Sequence, residues 1–357
     1  MENATAPRFF LGANTKSGFY SLYDGFTDPA AGDFLWVIKG CPGCGKSSFM
    51  RRIAAAAEQA GLRAEYILCS GDPDSLDGVS FPERRVAYVD GTAPHVIEPS
   101  CPGAAGLYLD LGAYLDAGAL QAHLTEITDL TRRYRAQYAA AYAMLAGAAP
   151  LLPKNQPMNA DSTAEKLNRR IDSLASKTLR PLKKQGGIVH RFLSAVTCQG
   201  HLRLDDTLRA LCNRLILLDN ALGLGHTALS RLAALAAARG YDVILCHDPL
   251  EPEKPEALLL PELSLAFLAA EESAASLPAP ERRLRLDTLA ARALTPEDRA
   301  LLREKRRESR ALLRAAEEAL ARAKALHDQL EAVYHPHVDF DGVNALAEDH
   351  IRWLLKG

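Results

Sequence analysis

Residues 34–50 read FLWVIKGCPGCGKSSFM, and the pattern inside them, Gly40-x-x-x-x-Gly45-Lys46-Ser47, constrains this chain more than any other feature. The apolar, branched run Phe34 to Ile38 predicts a buried parallel strand. Ser48 to Gly61 predicts an Ala-rich helix closed by a glycine. Strand, glycine loop and helix in that order form the setting in which such a loop holds phosphate. Glycines let the backbone curl until its N–H groups point inward, and the positive end of the following helix adds to the attraction for an anion. Lys46 is expected on the β- and γ-phosphates and the Ser47 hydroxyl on Mg²⁺. The expected cradle is Gly40, Cys41, Pro42, Gly43, Cys44, Gly45, Lys46, Ser47 and Ser48. No Asn-Lys-x-Asp guanine signature occurs, so ATP is expected rather than GTP.

Residues 86–90 read VAYVD, an apolar strand ending in Asp90. In a parallel sheet that carboxylate lands beside the phosphate loop, where it holds Mg²⁺ directly or through water. The competing reading is a solvated Asp-Gly turn. Upstream, Glu65 to Cys69 reads as a further buried strand running into SGDPDSLDG, with Asp72, Asp74 and Asp77 at its carboxyl end. A catalytic base or a substrate or metal contact is one reading, and a polar turn built on Asp-Pro and Asp-Gly is the other.

The chain repeats itself. RFFLGANTKSGFYSLYD, Arg8 to Asp24, matches HRFLSAVTCQGHLRLDD, His190 to Asp206, at a constant offset. YILCSGDP matches VILCHDP, Pro82-Glu83 matches Pro261-Glu262, and VAYV matches Leu265 to Leu268. The expected plan is two copies of one α/β domain, residues 8–182 and 190–357. Each is a parallel sheet flanked by helices and followed by long helices, with the junction near Gln185-Gly186-Gly187 and the two copies forming an intramolecular pseudo-dimer. In the second copy, Asp219 stands for Gly40, His226 for Lys46 and Ala269 for Asp90, with Gly223, Gly225 and Thr227 matched to Gly43, Gly45 and Ser47. Lost together, lysine, opening glycine and metal carboxylate leave a degenerate, structural second site; an altered nucleotide pocket is the alternative. Asp72-Pro73 recurs as Asp248-Pro249, which favours a turn for Asp72. Asp74 and Asp77 show no clear counterpart and are the better functional candidates.

Ile127, Leu130, Tyr134, Tyr138, Tyr142 and Leu145 recur at helical spacing, a packing stripe rather than a cofactor box. Thr295-Pro296-Glu297-Asp298 starts a helix that could run to Tyr334, about 57 Å long, with one apolar stripe suited to an antiparallel hairpin. His335, His337, Asp339 and Asp341 read as a helix-ending loop, since no second ligand group closes a metal site.

Composition adds exclusions. Forty-two Lys plus Arg oppose 44 Asp plus Glu, for a net charge of −2 over 357 residues, so neither nucleic acid nor an anionic membrane is indicated as partner. No run is long and apolar enough to span a membrane, and the N-terminus is not a secretory signal. Seven thinly spread cysteines are expected to be reduced thiols in the cytoplasm.

LGANTKSGFYSLYD, GCPGCGKS, CSGDPDSLDG and VDGTAPH, in a tandem plan over nearly the whole chain, resemble an uncharacterised bacterial family of tandem P-loop ATPases. That family usually has small residues or threonine where this loop has Cys41 and Cys44. The resemblance implies a P-loop NTPase fold and ATP binding through Gly40, Gly43, Gly45, Lys46, Ser47 and Asp90, and no cellular role. Three classes then compete. An ATPase or ATP switch acting on a partner protein suits the long helices and the decayed twin, with Arg214 and Arg231 as candidate arginine fingers; Gly91 stands where many ATPases carry a glutamate. A small-molecule or nucleotide kinase suits Asp90-Gly91 followed by Thr-Ala-Pro-His and the acidic loop; against it, no clear lid with paired arginines is present, Arg84 and Arg85 being the only adjacent pair near that site. A redox sensor rests on Cys41-Pro42-Gly43-Cys44 at a helix N-terminus.

Overall fold

The computed structural model describes residues 6–93, 96–152, 161–270, 277, 279–292 and 294–356. The first half contains β1 (Arg8–Phe9), β2 (Gly12–Thr15), β3 (Gly18–Ser21), β4 (Phe34–Lys39), α1 (Lys46–Gln59), β5 (Glu65–Leu68), β6 (Leu76–Phe81), β7 (Val86–Asp90), β8 (Gly106–Asp110), α2 (Ala117–Leu120), α3 (Leu124–Ala148) and α4 (Asp161–Thr178). The second contains β9 (Ile188–Arg191), β10 (Ser194–Thr197), β11 (Gly200–Arg203), α5 (Asp205–Leu211), β12 (Arg214–Asp219), α6 (Leu224–Ala238), β13 (Val243–His247), β14 (Pro255–Leu260), β15 (Leu265–Ala270), β16 (Arg282–Leu284), α7 (Thr288–Ala291), α8 (Pro296–Tyr334) and α9 (Phe340–Lys356).

Two six-stranded sheets result, ordered β1-β5-β6-β7-β4-β8 and β9-β13-β14-β15-β12-β16, the same order strand for strand. Neither sheet is parallel throughout, which corrects the expectation. β6 runs antiparallel to both β5 and β7, and β14 does so to β13 and β15. The reason is connection length. Only residues 82–85 join β6 to β7, as a 3₁₀ turn closed by Arg85 at φ 53°, and a parallel pair needs a crossover of a dozen residues or more. The same turn recurs at 261–264, with Ser264 at φ 49°.

Strand periodicity then sorts the side chains. Leu35 and Val37 of β4 point to one face, where they share a core with Ile67, Val89, Leu215, Leu217, Leu259 and Leu268, so the two sheets pack face to face. Ile38 on the opposite face packs beneath α1 with Met50 and Ile53. At the seam Phe10 and Phe192 exchange backbone hydrogen bonds at 3.0 and 2.9 Å. These are matched positions of the sequence repeat, meeting as equivalent residues do at a two-fold axis.

The helices do not stay with their own halves. α9 covers α1, burying Val343, Ala347 and Leu354 in the first-half core. α4 covers α6, burying Leu167 and Ile171 in the second-half core. α3 and α8 run antiparallel: Leu130 meets Leu326 and Leu330 at one end, and the Ser309 hydroxyl donates to the Ala148 carbonyl at the other. The expected hairpin partner of the long helix is thus a helix of the other half. α8 starts on a capping box between Thr295 and Asp298, with Pro296 at its first position. Among the described residues no helix is long and apolar enough to cross a membrane.

Candidate functional site

β4 delivers the chain into the loop 40–45, where Gly43 (φ 70°) and Gly45 (φ 88°) take left-handed conformations. Gly45 caps α1 with no side-chain hydrogen bond on the helix N-terminus. β7 lies beside β4 in parallel register, Ile38 opposite Asp90, which brings the strand-end carboxylate to the loop. Lys46 folds back so that Nζ donates to the Cys41 carbonyl at 2.8 Å and sits 3.7 Å from Asp90 Oδ2. Burial pulls the Lys46 pKa down, but Asp90, Cys44, Cys41 and Glu331 outweigh it and leave it raised, so the ammonium is charged. Asp90 Oδ1 accepts from the amide (2.9 Å) and hydroxyl (2.6 Å) of Thr92, which fixes the carboxylate. The Ser47 hydroxyl accepts from the Leu76 amide at 2.9 Å.

These groups line a cavity of about 1040 Å³. Gly40, Pro42 to Ser48 and Asp90 are in its wall; Cys41 is not, and contributes its carbonyl to Lys46. Asp72, Asp74 and Asp77 all reach the cavity. Asp72 holds the turn, accepting from Ser75 Oγ at 2.9 Å. Asp74 accepts from Gln199 Nε2 at 2.9 Å. Asp77 is a buried residue of β6, not of a loop, and accepts from the Tyr23 hydroxyl at 3.1 Å. It has a counterpart after all: Val79 pairs with Tyr88 as Leu258 pairs with Phe267, which places Glu256 at the matching buried position of β14.

Sequence reasoning missed the far wall. α8 contributes His327, Asp328 and Glu331, whose ligand atoms lie within 4.8 Å of one another, and α3 contributes Tyr134 and Tyr138. The tyrosines pack as expected but also face the cavity. His335 follows the end of α8, lies against Phe340 with ring centroids 4.6 Å apart and the rings tilted by 41°, and lines the cavity as well. Only an i, i+1, i+4 cluster on α8 signalled this wall, and nothing local says which sheet α8 crosses. Arg214 pairs with Glu281 and Arg231 with Asp172, and neither lines the cavity. Arg84 and Arg85 precede β7, at the end of the strand opposite Asp90. Of the Thr-Ala-Pro-His run, Pro94 and His95 lie outside the described residues.

The second-half loop is built differently. Buried Phe49, Met50, Ile53, Ala54 and Ala57 of α1 correspond to Ala228, Leu229, Leu232, Ala233 and Ala236 of α6. By that register Gly225 replaces Lys46 and His226 replaces Ser47, one residue from the sequence match. Comparing strand registers, Asn220 rather than Asp219 corresponds to Gly40, and Ala269 corresponds to Asp90. A Cβ on Gly225 would lie 2.9 Å from Asn220 Cβ and 3.0 Å from Ala269 Cβ, so a side chain there meets crowding that Lys46 does not. His226 Nδ1 donates to the Pro255 carbonyl at 2.6 Å, whereas Ser47 at the matching position accepts from the Leu76 amide. Asp287 accepts from the amides of Ala221 (2.9 Å) and Leu222 (3.0 Å), so a carboxylate of the chain already occupies these loop amides.

No family model, curated protein or solved structure matches this chain. The functional reading therefore rests on geometry and chemistry.

Proposed function

We propose that the first-half loop binds ATP with Mg²⁺ and that the protein is a Mg-dependent ATPase or ATP-driven switch using this site alone. One observation carries the reading. A charged, buried lysine from a glycine loop and an aspartate from the adjacent parallel strand lie 3.7 Å apart in the wall of a cavity of about 1040 Å³. The left-handed glycines and the uncapped start of α1 suit an anion. The fit to Mg²⁺ comes from the donor set. Asp72, Asp74, Asp77, Asp90, Asp328 and Glu331 line the cavity against Lys46 and Arg51, so a triphosphate needs an added cation to enter. Ser47 and Asp90 are the residues to hold it, and it would supply neutralisation of phosphate charge.

The occupied amides around Asp287 and the missing lysine support a second half that binds no nucleotide. The tandem P-loop reading, residues 8–182 and 190–357 as an intramolecular pseudo-dimer, is supported by the shared strand order and by the Phe10–Phe192 contact. A kinase transferring the γ-phosphate to a small acceptor is the second reading, favoured by the acidic loop in the same cavity. Turnover of Mg-ATP with and without a metabolite panel separates the two. Phosphate release without acceptor supports the ATPase, acceptor-dependent transfer supports the kinase, and absence of nucleotide binding by calorimetry rejects both.

A further inference from the structure

In many ATPases a carboxylate directly after the strand-end aspartate handles the attacking water. Here that position cannot carry one. A Cβ on Gly91 would lie 2.4 Å from Val37 Cγ1 and 3.2 Å from the Ile97 carbonyl oxygen, so the packing around this position leaves no room for a side chain. The base, if the site hydrolyses ATP, has to come from another element.

Most of the cavity carboxylates are committed. Asp90 is held by Thr92 and faces Lys46; Asp77 holds Tyr23 from within β6; Asp74 holds Gln199. Asp72 and Asp328 share Lys324. Glu331 differs. It sits in the last turns of α8, where that helix crosses the phosphate loop so closely that a Cβ on Gly43 would meet Glu331 backbone atoms at 3.0–3.2 Å. Its side chain is 41 % exposed and lines the cavity, and its charge acts on Lys46. Its neighbour is His327, whose Nδ1 lies 3.6 Å from Oε1. Burial, outweighing Glu331, holds that imidazole below its ordinary pKa, so at neutral pH it leaves the carboxylate unneutralised.

We propose that Glu331 of α8 is the general base for ATP hydrolysis, so that the second half of the chain completes the first-half site. The inference rests on the ATPase reading above. The water oxygen attacks the γ-phosphorus, and the bond from that phosphorus to the bridging oxygen breaks. The electron pair leaves with ADP. The proton of the water passes to a Glu331 carboxylate oxygen and from there to solvent.

The test compares parent, Glu331→Gln and Glu331→Asp in calorimetry with Mg-ATP, in turnover, and in the identity of nucleotide retained after desalting. The amide keeps the shape of the side chain and cannot take a proton. A base contributes about 10²–10⁴-fold. The Gln variant is therefore expected to bind Mg-ATP within a few-fold of the parent, to turn over at least about 100-fold more slowly, and to retain intact ATP where the parent retains ADP. The Asp variant, with its carboxylate withdrawn by one methylene, should fall between them. Parental turnover in either variant overturns the assignment, as does loss of ATP affinity in a folded Gln variant. A parent that binds no ATP overturns the ATP reading itself and is recognised before any variant is made.

Discussion

Gly43 of the glycine loop lies against Glu331 of α8, so closely that a Cβ there would meet Glu331 atoms at 3.0–3.2 Å. A methyl there would press on backbone rather than on a side chain that can swing away. Gly43→Ala meets both this clash and a φ of 70°. Left-handed strain costs about 1 kcal/mol, and overpacking adds roughly 1–3 kcal/mol. Gly18→Ala, at φ 100° with open space around it, carries the strain alone. Denaturant midpoints should fall clearly more for position 43, and equal losses would mean that α8 does not press on the loop.

Lys46→Ala removes the ammonium and should lose at least about tenfold in ATP affinity, the weight of one charged hydrogen bond of roughly 1.5–3 kcal/mol. Asp90→Asn keeps the shape of the Thr92 contact and should mainly abolish the magnesium dependence. Titrations with and without Mg²⁺ separate the two effects. Parental behaviour in both variants places the site elsewhere.

Interaction between the neighbouring thiols of Cys41 and Cys44 lowers the Cys44 pKa to about 7 and raises that of Cys41. Thiolate at Cys44 therefore grows as pH rises through 7, while Cys44 itself is fully buried. Diamide, taking two electrons and two protons from the pair, is expected to close a disulfide faster at pH 8 than at pH 6. The closed ring should weaken ATP binding reversibly. A Cys41→Ser/Cys44→Ser double variant should ignore the oxidant. Undiminished binding by a disulfide form confirmed by mass would show that loop curvature does not depend on these sulfurs.

Asp287 gives the second-half loop its structural character. Asp287→Ala strips a carboxylate from two amides and should destabilise the chain by about 1–2 kcal/mol, in the range of a lost helix cap. Calorimetry should count one Mg-ATP per chain in both parent and variant, because Gly225 offers no lysine. Two sites of similar affinity in the parent would refute the single-site reading.

His247 carries a pH dependence. Burial, then the neighbouring His190, lowers its pKa from 6.5 to about 4. Between those values the unfolded chain binds a proton that the folded chain refuses, so stability is full above about 6.5 and falls as pH drops toward 4. Urea midpoints at pH 7 and pH 4.5 should diverge less in His247→Gln than in the parent. An unchanged pH dependence would exclude His247 as its source.

The sequence by itself determined the strand, the glycine loop, α1 and the carboxylate at the end of β7. It also determined that the matching second-half loop lacks the lysine and the strand-end carboxylate. Those features depend on backbone conformation and hydrogen bonds within a few neighbours, and on residue types that chemistry makes hard to substitute. The offset of one residue at Gly225 lay beyond it, because loop length was invisible until the buried faces of α1 and α6 were compared. So did the direction of β6, although the brevity of residues 82–85 was a readable signal. The partners of α4, α8 and α9 were decided only by tertiary structure. An amphipathic stripe states that a helix must bury one face, not which surface it buries against; that choice is made by competition between two similar sheets packed face to face. Glu331 became a candidate because packing carried α8 across Gly43, almost three hundred residues away in the chain, and no local rule of sequence encodes that crossing.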